Sequence, residues 1–203
     1  MIFFDEIKEQ LKVMVFPSKA VKAKPLAGSL AYYYKLSFLP LLLTILLSYL
    51  HTSTLSGIVL LLNPGLERSS FLIIALLEVL LLWGIMPLLL LFNALIIYII
   101  GDKLFKALKG KPADTANALI YSLSSLVLFV WLAVVSPLGI ALLVIFLFWA
   151  FIIEIIALSK LQKLSRLGAL AIIIFSSFII SVVSELFALI GVTLFAFGHY
   201  LIQ

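Results

Sequence analysis

The amino-acid sequence predicts an all-α, polytopic membrane protein: a five-transmembrane-helix bundle preceded by an N-terminal interfacial amphipathic helix. Three observations carry that prediction. Of the 203 residues, 65% are hydrophobic and only 11% are charged, whereas a water-soluble domain is about half apolar and about a quarter charged. Five apolar runs reach the ~20 residues that a helix needs to cross the hydrocarbon core. Every Lys and Arg except Arg68 falls in three short segments before or between those runs. Disorder is excluded by the same composition, because it needs low hydrophobicity and high charge. A β-barrel is excluded because its strands are short and alternate polar with apolar residues.

Residues 1–35 are expected to form a cytoplasmic amphipathic helix and a basic linker. Phe3, Ile7, Leu11 and Met14 recur at helical spacing with Phe4 and Val15 beside them, while Asp5, Glu6, Lys8, Glu9 and Lys12 fill the other side. Such a helix lies in the plane of the membrane interface, its apolar stripe buried. Acids and Lys interrupt the first ten residues where a cleavable signal peptide would need an apolar core, so none is expected. Pro17 ends the helix, and PSKAVKAKPLAG reads as the basic linker.

Residues 36–203 are expected to form the transmembrane domain, with spans at about 36–57, 71–100, 115–135, 138–159 and 168–198. The second and fifth runs exceed the minimum length, so they tilt, kink or project beyond the lipid. Pro87, with Gly84 nearby, is the expected kink in the second, and Pro40 removes a backbone donor in the first. Ser136-Pro137-Leu138-Gly139 reads as the external turn between the third and fourth. Among Trp83, Trp131 and Trp149, Trp131 best fits an interfacial anchor.

Orientation follows from the charges. Lys8, Lys12, Lys19, Lys22, Lys24 and Lys35 precede the first span; Lys103, Lys106, Lys109 and Lys111 follow the second; Lys160, Lys163 and Arg166 follow the fourth. Five spans place all three segments on one side. The positive-inside rule makes that side cytoplasmic, with the N-terminus inside and the C-terminus external. The net charge of +5 is therefore read as a topology signal and an attraction to anionic lipid headgroups, not to nucleic acid. The chain has no Cys and two His, so disulfides and thiolate chemistry are excluded, and no metal or cofactor is expected.

Polar residues inside spans are costly and commonly face a bundle interior or a cavity. Glu185, Glu78 and Glu154 are the acidic candidates, Glu185 nearest a span centre. It reads either as a proton or cation site or as a protonated carboxyl bonded to a neighbouring helix. Ser177, Ser181, Ser184, Ala188 and Gly191 share one face of the fifth span; Ser37, Thr44, Ser48 and His51 share one of the first. Small and hydroxylated faces let membrane helices approach closely. Their meeting would place Glu185 beside Thr44 or Ser48. Lys103, Lys106, Lys109, Lys111, Lys160, Lys163 and Arg166 form the candidate contact for anionic lipid or an acidic partner. A weak internal echo pairs LIIYIIGDKLFK (95–106) with IIEIIALSKLQK (152–163), both at the inner ends of outside-to-inside helices. No Walker, HExxH, CxxC or Ser-His-Asp pattern is present.

The order of parts resembles the Yip-domain family, the Ypt/Rab-interacting membrane proteins, and specifically its prokaryotic branch. The resemblance lies in FPSKAVKAKPLAGSLAYYYKLSFLPLLLTILL, with Pro17, Ser18, Lys19 and Ala20, and in GDKLFKALKGKPADTANALIYSLSSL, with Gly110, Lys111 and Tyr121. It implies five spans and a non-enzymatic, membrane-organising or trafficking-related scaffold or adaptor, and it brings no catalytic residues. Its partners would be the bilayer, a protein or a second copy. The alternative function is a small proton-coupled carrier or channel centred on Glu185.

Overall fold

The structure, a computed structural model, describes residues 2–50, 77, 80–132 and 137–202. Helix α1 is Ile2–Val15, α2 is the short Pro17–Ala20, and α3 is Leu26–Leu50. A π-helical turn, Leu81–Ile85, leads into α4, Met86–Ile99, which runs out through a second π turn, Ile100–Leu104. Then come α5, Pro112–Val127, α6, Pro137–Leu161, and α7, Arg166–Ile202. No strand occurs among the described residues.

Among the described residues four helices are long and apolar enough to cross a membrane: Leu26–Leu47, Trp83–Leu104, Ala141–Leu161 and Arg166–Glu185. Between 22% and 39% of each is buried inside the protein, so most of their apolar surface needs lipid as its solvent. The chain is thus a multi-pass, all-helical membrane protein in its described part. The expected span at 115–135 holds α5, whose 16 residues extend about 24 Å, short of the ~30 Å hydrocarbon core. It gives way to tight turns over Phe129–Leu132, and 133–136 lie outside the described residues.

α5 is nonetheless the hub, packed against α3, α4, α6 and α1. Thr115 through Ser122 are buried without interruption, the pattern of a helix surrounded on all sides. Its register against α6 is antiparallel. Gln162 reaches Thr115, Ser122 bonds the Ala150 carbonyl at 2.9 Å, and Phe129 stacks on Phe146 at 4.2 Å. Against α3 it is parallel, since Ser29 meets Asn117 and Tyr32 meets Tyr121. The starts of α3 and α5 and the end of α6 therefore share one end of the bundle.

At the position of the expected kink the helix begins anew after a π turn. Pro87 falls in the first turn of α4, where a missing N–H is harmless, and the π turn Leu81–Ile85 before it absorbs the change of register. In α3, Pro40 stays within the helix, and Thr44 Oγ1 donates to its carbonyl at 2.8 Å.

The internal echo has a structural counterpart. Lys106 (φ 49°) and Lys163 (φ 56°) both adopt the left-handed conformation and stand at equivalent positions of the two repeats. Lys163 completes a Schellman cap, with Leu164 N donating to Ser159 O at 2.8 Å and Lys163 N to Lys160 O at 3.4 Å. At the other site Ala107 N reaches back to Gly101 O at 3.0 Å, one residue farther because the π turn intervenes. A Cβ at Gly101 would lie 2.8 Å from Leu108 Cδ1.

Left-handed positions favour Gly over any L side chain. Lys106→Gly and Lys163→Gly should each stabilise the protein by about 1 kcal/mol. A raised thermal midpoint of the purified protein checks this; a fall would show that the Lys side chains themselves hold the caps.

Candidate functional site

α1 lies as a strap across the bundle. Its Glu6 Oε1 meets Lys35 Nζ of α3 at 3.3 Å, its Gln10 reaches α5, and its Met14 carbonyl accepts from Trp149 Nε1 of α6 at 2.9 Å. The chain then turns down through α2 and returns to the start of α3. Lys160 Nζ of α6 ties that return by donating to Val21 O at 2.8 Å and Lys19 O at 3.4 Å.

The strap is held by polar groups. Gln10 is fully buried; its Nε2 donates to Tyr121 O at 3.1 Å and to Ser125 Oγ, and Tyr32 Oη donates to its Oε1 at 2.7 Å. A buried amide is tolerated only when so bonded. Lys24 Nζ sits 2.8 Å from Glu9 Oε1 and 3.9 Å above the Tyr32 ring, with the Tyr121 ring 5.6 Å away. The ammonium is held by an ion pair and by two aromatic faces. Tyr121 Oη lies within hydrogen-bond reach of Glu9 Oε1 and of Lys22 O. Below this layer Asn117 Nδ2 donates to Lys24 O at 2.7 Å, and Ser29 Oγ donates to Asn117 Oδ1.

A second knot ties the two remaining basic loops. Buried Gln162 donates through Nε2 to Lys111 O and Thr115 Oγ1, each at 2.9 Å, while its Oε1 accepts from Gly110 N at 2.8 Å. Asp114 caps α5 by accepting from Lys111 N at 2.8 Å. Gly110 leaves room for this knot, since a Cβ would meet Gln162 Oε1 at 2.8 Å and Leu161 O at 2.9 Å. All three basic segments are thereby joined at one end of the bundle.

Between the strap and its returning linker lies an open groove of about 920 Å³, lined by Asp5, Lys8, Glu9, Lys12, Phe16, Lys19, Ala20, Lys22 and Lys24. Glu9 is engaged by Lys24, which leaves Asp5 facing Lys8, Lys12, Lys19 and Lys22. The groove is an electropositive surface suited to anionic groups. Beside it Phe4, Leu11, Val15 and Phe16 are exposed.

The residues singled out from the sequence are placed as follows. Lys109, Lys111 and Arg166 are exposed, Lys103 pairs with Asp102 at 3.2 Å, Lys106 and Lys163 form the caps, and Lys160 is engaged with the linker. Glu154 lines a cavity between α4, α5 and α6. Thr44 is buried and bonded to Pro40 O. Glu185 is exposed on α7, as are Ser177, Ser181 and Ser184; the face that α7 buries is Ala169, Ile172, Ile173 and Ser176. Glu78 and the side chains of Phe3 and Ser48 lie outside the described residues. In α1 the inward side is Gln10 and Val13, with Met14 packed against the core, whereas Leu11 of the expected stripe is 44% exposed. Sequence reasoning passed over Gln10, Ser29, Asn117 and Gln162, and counted Lys24 only as an orienting charge. Only Asn117, an amide inside an apolar run, carried a signal that could have found it. Among the described residues no group of three His, Asp or Glu side chains is placed to hold a metal ion.

No family model, no curated protein and no solved structure matches this chain.

Gln10→Leu would leave Tyr32 Oη without its acceptor and take a donor from Ser125 Oγ and the Tyr121 carbonyl, which stay bonded to each other, a loss of about 1–3 kcal/mol. Limited proteolysis should then cut within residues 1–25 earlier than in the wild type, while Lys12→Gln, on the exposed side, leaves the protection unchanged.

Proposed function

We propose that the protein is a Yip-domain-type, five-span membrane protein with a cytoplasmic N-terminus, working as a non-enzymatic scaffold that gathers anionic lipid headgroups on its cytoplasmic face. The observation that carries this reading is the joining of all three basic segments, with the α1 strap, into one electropositive end around the groove of Lys8, Lys12, Lys19 and Lys22.

Several features support it. α5 begins beside Gln162 and by Phe129 has reached the level of Phe146, about 24 Å along α6. With the tight turns that follow, it is the natural fifth crossing, and it restores the alternation that keeps every basic loop on one side. The strap lies transverse to α3, α5 and α6, the attitude of an interfacial helix. Its exposed Phe4, Leu11 and Val15 suit the headgroup boundary, with Lys8 and Lys12 beside them. The polar cluster around Gln10 and Tyr121 has its donors and acceptors paired with one another, as a clasp requires. The carrier alternative draws no support from Glu185, which is exposed on the face of α7 that also carries Ser181 and Ser184.

Two measurements test this reading. Cysteine introduced at position 109 should be modified only from the cytoplasm and at position 203 only from outside; labelling of both from one side rejects the topology.

In nanodiscs of mixed zwitterionic and anionic lipid, anionic lipid should be enriched around the protein, and the enrichment should fall with salt. Each Lys near an anionic surface contributes about 1 kcal/mol, so replacing Lys8, Lys12, Lys19 and Lys22 by Gln should lower it at least ~10-fold. Proton or solute flux in proteoliposomes that vanishes in Glu185→Gln would reject the scaffold in favour of the carrier.

A further inference from the structure

The cavity between α4, α5 and α6 has a volume of about 570 Å³, within the range of small-molecule sites. Leu, Met and Phe side chains make most of its wall, and three polar residues interrupt them, Asn93 from α4, Ser122 from α5 and Glu154 from α6. Each of the three carries an oxygen acceptor. Asn93 Oδ1 is buried without a hydrogen-bond partner. Ser122 Oγ gives its proton to Ala150 O at 2.9 Å, leaving its lone pairs. Among the described residues no cation lies within ion-pair distance of Glu154, the recorded pairs being Lys24–Glu9, Lys35–Glu6 and Lys103–Asp102.

The wall is also polarised along the bundle. In the antiparallel register of α5 with α4 and α6, Asn93, Leu119 and Glu154 lie toward the basic end. Met86, Leu126 and Leu147 lie farther from it. Glu154 is seven residues before the end of α6 at Leu161, about 10 Å along the helix. The polar part of the wall therefore faces the basic end of the bundle and the apolar part lies farther along it.

We propose that this cavity binds a single-chain primary ammonium amphiphile. Its N–H donors would bond Glu154 and Asn93, and its hydrocarbon tail would run up along Leu126, Met86 and Leu147. An unpaired carboxylate in apolar surroundings is costly. An ammonium supplies both the missing charge and the donors, in charge-assisted hydrogen bonds. A carboxylate or phosphate head would meet acceptors and a like charge. The inference is independent of the scaffold reading, because the groove and this cavity share no residue.

The test uses the full chain in phosphatidylcholine nanodiscs, with radiolabelled dodecylamine, dodecyltrimethylammonium and dodecanoate as probes and empty nanodiscs as the blank. Dodecylamine should bind saturably, the trimethyl analogue more weakly for want of N–H donors, and dodecanoate not at all. Glu154→Gln should weaken dodecylamine binding at least ~10-fold. Leu147→Trp, which fills the apolar end and leaves Glu154 in place, should also abolish it, with monodispersity and thermal midpoint checked for both variants. Competition by phosphatidylethanolamine would identify a lipid headgroup as the source of the ammonium, and its absence a free amine. Equal binding by Glu154→Gln, indifference to Leu147→Trp, or dodecanoate binding as tightly as the amine would overturn the proposal.

Discussion

The structure depends on the burial of a polar helix. α5 carries Thr115, Asn117, Tyr121, Ser122, Ser124 and Ser125 on a stretch that the other helices surround. Buried among the other helices such groups meet no water, and each one left unbonded costs about 1–3 kcal/mol. The bundle therefore brings a partner to nearly every one of them: Ser29 and the Lys24 carbonyl to Asn117, Gln162 to Thr115, the Ala150 carbonyl to Ser122, Gln10 to Ser125. Each partner comes from a different element. Satisfying α5 is thus the same act as assembling the bundle, and Ser124 Oγ is the group on it left buried and unbonded.

The same requirement joins the segments at the basic end into one body. The amide of Gln10 fixes α1, and the amide of Gln162 fixes the loop before α5 to the loop after α6. Neutral amides suit these positions because each supplies a donor and an acceptor at once, where an apolar residue would leave several backbone and hydroxyl groups unpaired. Charges stay at the rim. Lys24 and Glu9 remain partly exposed, and the free lysines line the groove between strap and linker. The separation of amides within and ammonium groups around them gives this end both cohesion and an electropositive surface.

Away from that end the bundle loosens. α6 and α7 present rows of exposed Leu, Ile, Val and Phe, among them Phe148 at 69% and Phe178 at 65% exposure, which only lipid tails can solvate. The cavity holding Glu154 lies where α4 and α6 diverge around α5, on the side of α5 opposite the strap.

The sequence by itself determined what depends on sums and periods. Its apolar runs set the helical, multi-pass character, and its basic segments marked stretches that the fold brings to one end. Only the tertiary structure decided which side of α1 turns inward, and it chose Gln10 and Val13 over Leu11. It likewise turned Ser177, Ser181, Ser184 and Glu185 outward on α7, and drew Glu154 to a cavity wall. The reason is physical. Hydropathy and period measure what a helix would lose by meeting water, but inside lipid an apolar side is content to face outward. The inward side is then decided by hydrogen-bond partners, which for Gln10, Asn117 and Gln162 come from residues 22 to 115 positions away.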